Sequence, residues 1–408
     1  MLSRRGFLAA ASAPALIGQP RLAHASSEKG RMTASRRLEQ SLTRADIPTP
    51  ALLLDLDAFE WNVAKMAAHL KAHGKGFRPH GKTHKCPEIG RALTRAGAKG
   101  HCAAKLSEAE VFAAHGLTGL LVTTQVVGRR KLERAVALAA KHPDTIFVAD
   151  AAQAVEDLAS AAAAVKGKQP VIVNVAVDLL YGRTGIAAGE PALELAKTID
   201  SLKNLRLAGI QAYDGGASHT VGFDARRTRS QASMARAVET RQAFDRAGLP
   251  CPLLSCGSTG TYNIDAGLDG VTELQPGSFM FMDTDYNRIG GQDGATYQDF
   301  RNALTVVTTV VSRRADAAIV DGGYKAFSTD RPFTPEAKAL PGVPYAWAGD
   351  EHGRLDLSKA QVDVKLGDRL EFIVPHCDPS VNLYDRIYCL RGDRVEAVWP
   401  IAARGMSQ

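Results

Sequence analysis

Two histidines flank a lysine in the segment from Arg78 to Lys85, which reads Arg-Pro-His-Gly-Lys-Thr-His-Lys. A lysine amine can form an imine with a carbonyl compound if burial and neighbouring cations lower its pKa. A single lysine is usually a solvated surface charge, but its place inside this cluster makes Lys82 the candidate for such chemistry. Lys85 is the competing amine, although it should already enter the following helix. His80 and His84 could supply a base, or they could hold Lys82 in place through hydrogen bonds.

Two short segments further along the chain combine glycine with hydroxyl side chains, from Gly257 to Gly260 and at Gly277-Ser278. Backbone N–H groups and hydroxyls of this kind suit a phosphate group. Neither segment is a P-loop, because no Gly-Lys-Ser/Thr follows, and either one alone would more often be a turn. Together, facing a lysine that can form a Schiff base, they favour pyridoxal phosphate as a cofactor. The candidate cofactor ligands here are Ser258, Thr259, Gly260, Gly277 and Ser278.

A pair of potential metal ligands occurs near the C-terminus, in the segment from Val374 to Pro379. In an extended segment, residues two apart share a face, so His376 and Asp378 would point the same way and Cys377 the other way. A histidine nitrogen and a carboxylate oxygen can hold a divalent ion together. An isolated pair of this kind is more often a hydrogen-bonded surface pair.

The elements that must position these groups alternate along the chain. From residue 46 onward, short apolar strands alternate with amphipathic helices at a spacing of roughly 25 residues, which is typical of parallel βα units. Eight such pairs predict an α/β fold, a closed (β/α)8 barrel of the TIM type. The candidate strands are 76–80, 100–104, 119–123, 145–149, 171–177, 206–213, 252–256 and 270–274, and the clearest helices are 86–96, 107–115, 129–141 and 152–165.

Reactive groups in such a barrel gather where the strands end, because the loops there surround one mouth. The fifth candidate strand runs into Asp178 and then Gly182-Arg183-Thr184-Gly185, and the sixth into Tyr213, Asp214 and His219. Together with the lysine segment and the two glycine-hydroxyl segments, this places five polar segments on one rim. His219 could be a base for the reaction or a plain loop residue.

The sequence pattern changes after about Phe281, where segments typical of strands and turns replace segments with the apolar spacing of amphipathic helices. The change predicts a smaller, mostly antiparallel β domain over 291–408 that carries the His376 and Asp378 pair, after a barrel over 46–290. The strand at 51–55 precedes the first barrel strand and could pair with that β domain. The candidate strands of the β domain are 303–311, 317–321, 361–364, 369–374 and 394–400.

The N-terminus predicts an export signal over 1–25 and a linker over 26–45. Arg4-Arg5 precede an apolar run from Phe7 to Ile17 that is too short to span a membrane, and Ala23-His24-Ala25 offers a cleavage site. The segment from Ser3 to Leu8 resembles the twin-arginine pattern, which would place the protein in the periplasm. The alternative is a basic N-terminus that does not act as a targeting signal.

Composition and charge exclude several functional classes. Hydrophobic residues make up 45% of the 408 residues and charged residues 23%, as in soluble globular proteins. Most of the net charge of +7 comes from residues 1–45, so the body of the protein offers no surface for nucleic acid. The six cysteines form no CxxC pair, which argues against a zinc ribbon or a disulfide scaffold.

These residues resemble the pyridoxal-phosphate enzymes related to alanine racemase, in the branch of D-threonine aldolase and D-serine dehydratase. The resemblance covers residues 46 to about 400 and implies that Lys82 binds the cofactor as an imine. It implies that Arg183 meets the 3-oxygen of the pyridoxal ring and that Tyr213 stacks on the ring. Gln275 stands where racemases carry arginine, so it would face the pyridine nitrogen. A neutral amide there can donate or accept, whereas a guanidinium can only donate.

The resemblance also implies a divalent ion at His376 and Asp378. Dehydratases of this branch are typified by His-x-Cys, which selects zinc, and aldolases by His-x-Asp, which suits Mn²⁺ first and then Mg²⁺ or Co²⁺. Asp378 therefore favours an aldolase, and Cys377 is one residue away from the position that a dehydratase needs. The expected reaction cleaves a β-hydroxy D-amino acid to glycine and an aldehyde, with His219 or a metal-bound water as base.

Other members of the same family remain open as alternatives. They are a D-serine or 3-hydroxy-D-aspartate dehydratase, a 3-hydroxy-D-aspartate aldolase, a racemase and a non-catalytic pyridoxal-phosphate carrier. The resemblance further implies a homodimer, in which the β domain of one chain reaches the barrel mouth of the other. No stable membrane association is expected once the signal is removed.

Overall fold

The computed structural model describes residues 42–408. The predicted export signal and nearly all of the predicted linker therefore lie outside the described residues. In residues 42–408, none of the helices has the length and hydrophobicity that a membrane span requires.

An eight-stranded parallel sheet forms the barrel, as the sequence predicts. After β1 (Ala51–Asp55), its strands are β2 (Gly76–Phe77), β3 (His101–Ala103), β4 (Leu120–Val122), β5 (Ile146–Ala149), β6 (Val173–Asp178), β7 (Leu205–Ala212), β8 (Leu253–Cys256) and β9 (Glu273–Leu274). The hydrogen-bonded order is β2-β9-β8-β7-β6-β5-β4-β3. A parallel bridge between His80 and Cys102 joins the two ends, where the Cys102 N–H donates to the Pro79 carbonyl at 2.9 Å. The predicted closed barrel is thus confirmed.

Helices connect the barrel strands and cover their outer faces. They are α1 (Leu56–Ala72), α2 (Pro87–Arg95), α3 (Leu106–Ala114), α4 (Arg129–Lys141), α5 (Ala152–Ala163), α6 (Glu190–Ser201), α7 (Gly215–Ser218), α8 (Phe223–Arg246) and α9 (Tyr262–Asp265). In α4, Leu132, Ala135, Val136 and Ala139 recur at helical spacing, and all four are buried. The four predicted helices lie within two residues of the observed bounds.

The helix α1 precedes the barrel strands in the chain but packs beside the last of them. The Asn62 side-chain amide donates to the carbonyl of Met280, shortly after β9, at 3.3 Å and to that of Arg301, shortly before the strand that begins at Leu304, at 2.8 Å. The Arg301 N–H donates back to Asn62 Oδ1 at 2.8 Å. This buried asparagine therefore ties the first helix to the end of the barrel.

The β domain follows the short helix α10 (Thr284–Asn287). It contains β10 (Leu304–Arg314), β11 (Ala317–Val320), β12 (Glu336–Ala337), β13 (Tyr345–Trp347), β14 (Gly353–Asp356), β15 (Arg369–Ile373), the helix α11 (Cys377–Val381), β16 (Arg386–Arg391) and β17 (Arg394–Pro400). The strand β1 joins this sheet, antiparallel to β10 and parallel to β16. All other strand pairs of the sheet are antiparallel.

One predicted strand is wrong, and four strands were not expected. Residues 361–364 form a loop in which the Val364 carbonyl accepts from Arg313 Nε at 2.8 Å instead of entering a ladder. The strands β12, β13, β14 and β16 are additional. Short strands with few β-branched residues, such as β14, are set by pairing with a neighbour rather than by local propensity.

Candidate active site

Lys82 lies in a 3-10 turn, Gly81–Thr83, directly after the first barrel strand. The turn passes so close to α3 that a Cβ at Gly81 would overlap the Phe112 ring, so only glycine fits there. The Lys82 side chain, 38% exposed, lines a cavity of about 50 Å³ in the barrel mouth. His80, Arg183, Gln211, Tyr213 and Gln275 line the same cavity.

The Lys82 Nζ atom lies 3.0 Å from Asp378 Oδ2, which the β domain supplies. Attraction to this carboxylate raises the pKa of Lys82. Burial would raise the pKa of Asp378, but Lys82 and His376 hold it well below its usual value. The expectation that neighbouring cations lower the pKa of Lys82 is therefore wrong for this arrangement, because an anion is the nearest partner.

His80 holds the lysine turn through contacts of both ring nitrogens. Its Nδ1 accepts the Lys82 backbone N–H at 3.3 Å, so the proton of a neutral ring lies on Nε2, 3.2 Å from Thr123 Oγ1. Burial, then the charge of Lys82, lowers the pKa of His80 well below its usual value. Of the two roles that the sequence left open, the hydrogen bonds support the positioning role.

The other polar residues of the segment also have structural partners. The His84 Nδ1 accepts the Cys86 N–H at 3.0 Å, and burial lowers the pKa of His84 to about 3. Lys85 forms a buried ion pair with Glu108. Lys82 is thus the amine of this segment that reaches the cavity.

The two glycine-hydroxyl segments lie side by side at the ends of β8 and β9. The Thr259 hydroxyl accepts the Phe279 N–H at 2.9 Å, which ties the two loops together. In residues 42–408, the backbone N–H groups of Gly260, Gly277 and Ser278 have no protein acceptor. Buried N–H groups are nearly always satisfied, so this set of free donors suits an anion such as a phosphate.

Close backbone contacts explain the glycines of this site. A Cβ at Gly277 would lie 2.5 Å from Thr83 Oγ1 in the lysine turn, and one at Gly260 would overlap the Ser218 carbonyl. The Ser258 hydroxyl, by contrast, is paired with Thr261 Oγ1 at 3.0 Å. The donors for a phosphate are therefore mainly backbone groups.

Tyr213 and Arg183 form the outer wall of the site. The Arg183 guanidinium lies 5.8 Å from the centre of the Tyr213 ring. Both residues line the cavity that contains Lys82 and an adjoining cavity of about 320 Å³. Asp178, the alternative partner of Arg183, instead accepts from Gln125 at 2.7 Å and Thr184 at 3.2 Å, which leaves the guanidinium to face a ligand.

The potential metal ligands are held differently from the expected extended segment. His376 is extended, but Asp378 lies in the first turn of α11, and the buried Cys377 donates its N–H to Asp283 at 2.8 Å. The expectation that an extended strand aligns the pair is therefore wrong, although Asp378 still reaches Lys82, which lines the cavity. No cluster of three or more metal-ligating side chains occurs in residues 42–408. One imidazole and one carboxylate nevertheless suit a divalent ion whose other positions are filled by small ligands.

A carboxylate that the sequence analysis missed orients His376. Asp330 Oδ2 lies 2.7 Å from His376 Nδ1, which leaves Nε2 as the nitrogen available to a metal. Arg331 connects this pair to Asp285, at 2.7 Å. His219 Nδ1 lies 3.2 Å from the same Asp285 carboxylate, without the alignment of a hydrogen bond. His219 is therefore joined to His376 through Asp285, Arg331 and Asp330.

The comparisons with known proteins agree with this geometry. The family model for the alanine racemase N-terminal domain matches residues 54–285, and that for the serine dehydratase domain matches residues 303–390. The chain belongs to the alanine racemase family, in the D-threonine aldolase and D-serine dehydratase branch. The resemblance inferred from the motifs is thus confirmed, and family membership implies pyridoxal phosphate.

Similar proteins in this branch include both aldolases and dehydratases. The chain is 36% identical to a 3-hydroxy-D-aspartate aldolase of Paracoccus denitrificans, over 89% of this chain and 94% of that protein. It is 31% identical to a D-threo-3-hydroxyaspartate dehydratase of Delftia, over 90% and 97%. The crystal structure of D-threonine aldolase from Filomicrobium marinum superposes with a TM-score of 0.83 at 36% identity, covering 90% and 98%. The chain is therefore an enzyme of this aldolase and dehydratase branch.

Proposed function

We propose that this enzyme cleaves β-hydroxy D-amino acids to glycine and an aldehyde, using pyridoxal phosphate and a divalent metal. The observation that carries the proposal is Asp378, a carboxylate 3.0 Å from Lys82 and next to His376. An oxygen donor in this position suits Mn²⁺, and Mg²⁺ or Co²⁺ next, whereas a thiolate would suit zinc. The buried Cys377 thiol, whose pKa is raised by burial, is not placed to supply one.

The residues of the site fit the cofactor at each of its ends. Lys82 would hold its aldehyde carbon, and the free N–H groups of Gly260, Gly277 and Ser278 would hold its phosphate. Arg183 and Tyr213 would meet the ring from the outer side. When bound, pyridoxal phosphate supplies a sink for the electron pair that the broken Cα–Cβ bond leaves behind.

The remaining polar groups would bind the substrate and move its proton. His376 and Asp378 would hold the metal, which when bound would orient the substrate hydroxyl and lower its pKa. His219 is our candidate for the base that removes the hydroxyl proton. The Asp285 carboxylate, 3.2 Å from its Nδ1, would stabilise the protonated imidazole after that transfer.

A product analysis tests the proposal. Purified protein with pyridoxal phosphate is incubated with D-threonine or with 3-hydroxy-D-aspartate, in the presence and absence of Mn²⁺. We expect glycine together with acetaldehyde from D-threonine or glyoxylate from 3-hydroxy-D-aspartate. Mn²⁺ should increase the rate of product formation, and a chelator should abolish this increase. Ammonia and a 2-oxo acid would instead identify the second candidate, a dehydratase, which the similarity to the Delftia enzyme favours.

The compartment and the assembly are also proposals. We infer export by the twin-arginine route from Arg4-Arg5 and the apolar run that follows. Fractionation of cells that express the full chain tests this inference, in comparison with a variant in which lysine replaces both arginines (Arg4→Lys with Arg5→Lys). The 38% exposure of Lys82 in the single chain fits a homodimer that covers the mouth, and the molar mass measured by light scattering tests it.

A further inference from the structure

A continuous line of buried polar side chains crosses the barrel interior below Lys82. It runs from Asp178 at the end of β6, through Gln211 on β7, to Gln275 after β9. From Gln275 it continues to Ser255 on β8 and ends at Glu273 on β9. All five residues are at most 5% exposed, so each polar atom in the line needs a defined partner.

The two carboxylates at the ends fix the direction of the neighbouring hydrogen bonds. Asp178 accepts from Gln211 Nε2 at 3.0 Å, which leaves the Gln211 carbonyl oxygen to face Gln275. Glu273 accepts from the Ser255 hydroxyl at 2.7 Å, which leaves the Ser255 lone pairs to face Gln275. Arg78 donates to both oxygens of Glu273, at 2.6 and 3.0 Å, so this carboxylate acts as an acceptor on each side.

Gln275 therefore stands between two acceptors. Its Nε2 lies 2.8 Å from Ser255 Oγ and 3.4 Å from Gln211 Oε1, and it donates to both. The flipped amide would turn its carbonyl oxygen toward two acceptors and lose both hydrogen bonds. The carbonyl oxygen of Gln275 is thus the atom left over, and in residues 42–408 it has no protein partner.

That free oxygen belongs to a residue that lines the cavity of Lys82. Two other side chains of the cavity have an acceptor atom engaged, since His80 accepts the Lys82 N–H and the Gln211 oxygen faces Gln275. Arg183 offers only donors. A ring nitrogen that lies against Gln275 would therefore meet an acceptor, and it would need a proton to form a hydrogen bond there.

We propose that Gln275 accepts a hydrogen bond from the pyridine nitrogen of bound pyridoxal phosphate and so keeps that nitrogen protonated. Asp178 and Glu273, acting through Gln211 and Ser255, are positioning residues that fix the direction of the Gln275 amide. The proposal rests on the cofactor assignment of the proposed function. An arginine at the same position would donate instead and would favour the unprotonated ring, so the amide strengthens the ring as an electron sink.

The test uses the holoenzyme reconstituted with pyridoxal phosphate that carries ¹⁵N in the ring. We expect the ¹⁵N chemical shift of a protonated pyridine at neutral pH in the wild-type protein. An unprotonated shift in a protein that shows the absorbance of bound cofactor overturns this inference alone. A protein that binds no cofactor overturns both this inference and the proposed function.

Four substitutions separate the direction of the amide from a general structural effect. Gln275→Glu keeps an acceptor and should keep the protonated shift, whereas Gln275→Met removes it and should lose the shift. Asp178→Asn releases the constraint on Gln211 and should move the shift part of the way toward the unprotonated value. Thr184→Val removes another donor to Asp178, at 3.2 Å, but does not change the direction of the Gln211 and Gln275 hydrogen bonds. It should therefore leave the ¹⁵N chemical shift unchanged. A protonated shift in both Gln275→Met and Asp178→Asn overturns the roles assigned to these residues.

Discussion

The amine of Lys82, in a turn at the barrel mouth, lies 3.0 Å from a carboxylate oxygen of Asp378, in a short helix of the β domain. The contact brings the residue expected to bind the cofactor against a residue expected to bind the metal. In this arrangement the ammonium occupies part of the space where a cation would bind. Metal and lysine thus share one carboxylate, and the first prediction follows from that sharing.

Replacing Asp378 should remove most of the activity. Asp378→Ala deletes one of the two protein ligands, so we expect turnover to fall by at least about 100-fold, and added Mn²⁺ to restore only part of it. Metal affinity is measured by calorimetry in parallel. Asp385→Asn, in an exposed pair with Arg404, is the matched control and should change neither quantity. Unchanged turnover in Asp378→Ala would refute the metal assignment.

The ligand type at position 378 should set the metal preference. Asp378→Cys replaces an oxygen donor by a thiolate, which is softer and selects zinc over manganese. We expect the apparent affinity for Zn²⁺ to rise relative to that for Mn²⁺ in competition experiments. An unaltered ratio of the two affinities would show that the side chain at 378 does not contact the ion.

Removing the amine of Lys82 should abolish cofactor attachment. Lys82→Ala should lose the absorbance band of the lysine-bound cofactor, and Lys82→Arg should lose it as well. The arginine retains a positive charge next to Asp378, but it cannot form an imine. Spectra after dialysis check both variants. A persistent band in either one would transfer the role to another amine.

The Asp330 carboxylate should support metal binding indirectly, because it orients His376 and is not itself a ligand of the metal. Asp330→Asn weakens the 2.7 Å contact that orients the imidazole, so we expect metal affinity to fall by about 10–100-fold. Calorimetric titration of the ion checks this, without reference to turnover. Glu336→Gln, in an exposed pair with Arg288 of the same region, serves as control. Equal affinities in the wild type and Asp330→Asn would contradict the orienting role.

Asp265 should make the protein less stable as the pH rises. Burial raises its pKa to about 6, although Ser230 and Thr261 donate hydrogen bonds to it at 2.6 and 2.5 Å. The folded state then holds a proton that the unfolded state has released, so stability falls between about pH 4 and pH 6 and stays lower above that range. We expect Asp265→Asn to remove this loss, about 3 kcal/mol at neutral pH.

The measurement for Asp265 is the free energy of unfolding in denaturant as a function of pH. The difference between wild type and Asp265→Asn cancels the titration of the other groups. A difference that stays constant from pH 4 to pH 7 would show that Asp265 keeps an ordinary pKa in the folded protein.

The barrel and its rim could be predicted from the sequence because both depend on local patterns. Buried parallel strands such as β6 are nearly continuous apolar runs, and the polar residues that interrupt the pattern mark the strand ends. Gln211 is another polar residue that interrupts an apolar strand. A buried glutamine two residues before Tyr213 in an apolar strand shares its face, and it could have been recognised as part of the site.

Other parts of the site depend on contacts between distant segments, which no local pattern reveals. Asp330 lies in a loop of the β domain and acquires its role only because that loop packs against His376. The pKa of Lys82 likewise depends on Asp378, which reaches it from the other domain. The short strands β12, β13 and β14 were missed for the same reason, since β12 is defined by its pairing with β15 and β13 by its pairing with β14.

The place of β1 between β10 and β16 has a consequence for biosynthesis. The strand is translated long before both of its partners, because β10 begins at Leu304 and β16 at Arg386. An incomplete chain that stops before Arg386 would expose one edge of β1, and it would lack Leu390 and Val395, against which Ala51 and Leu53 pack. The sheet of the β domain therefore cannot be completed until β16 has been translated, and the nascent chain needs protection from aggregation until then.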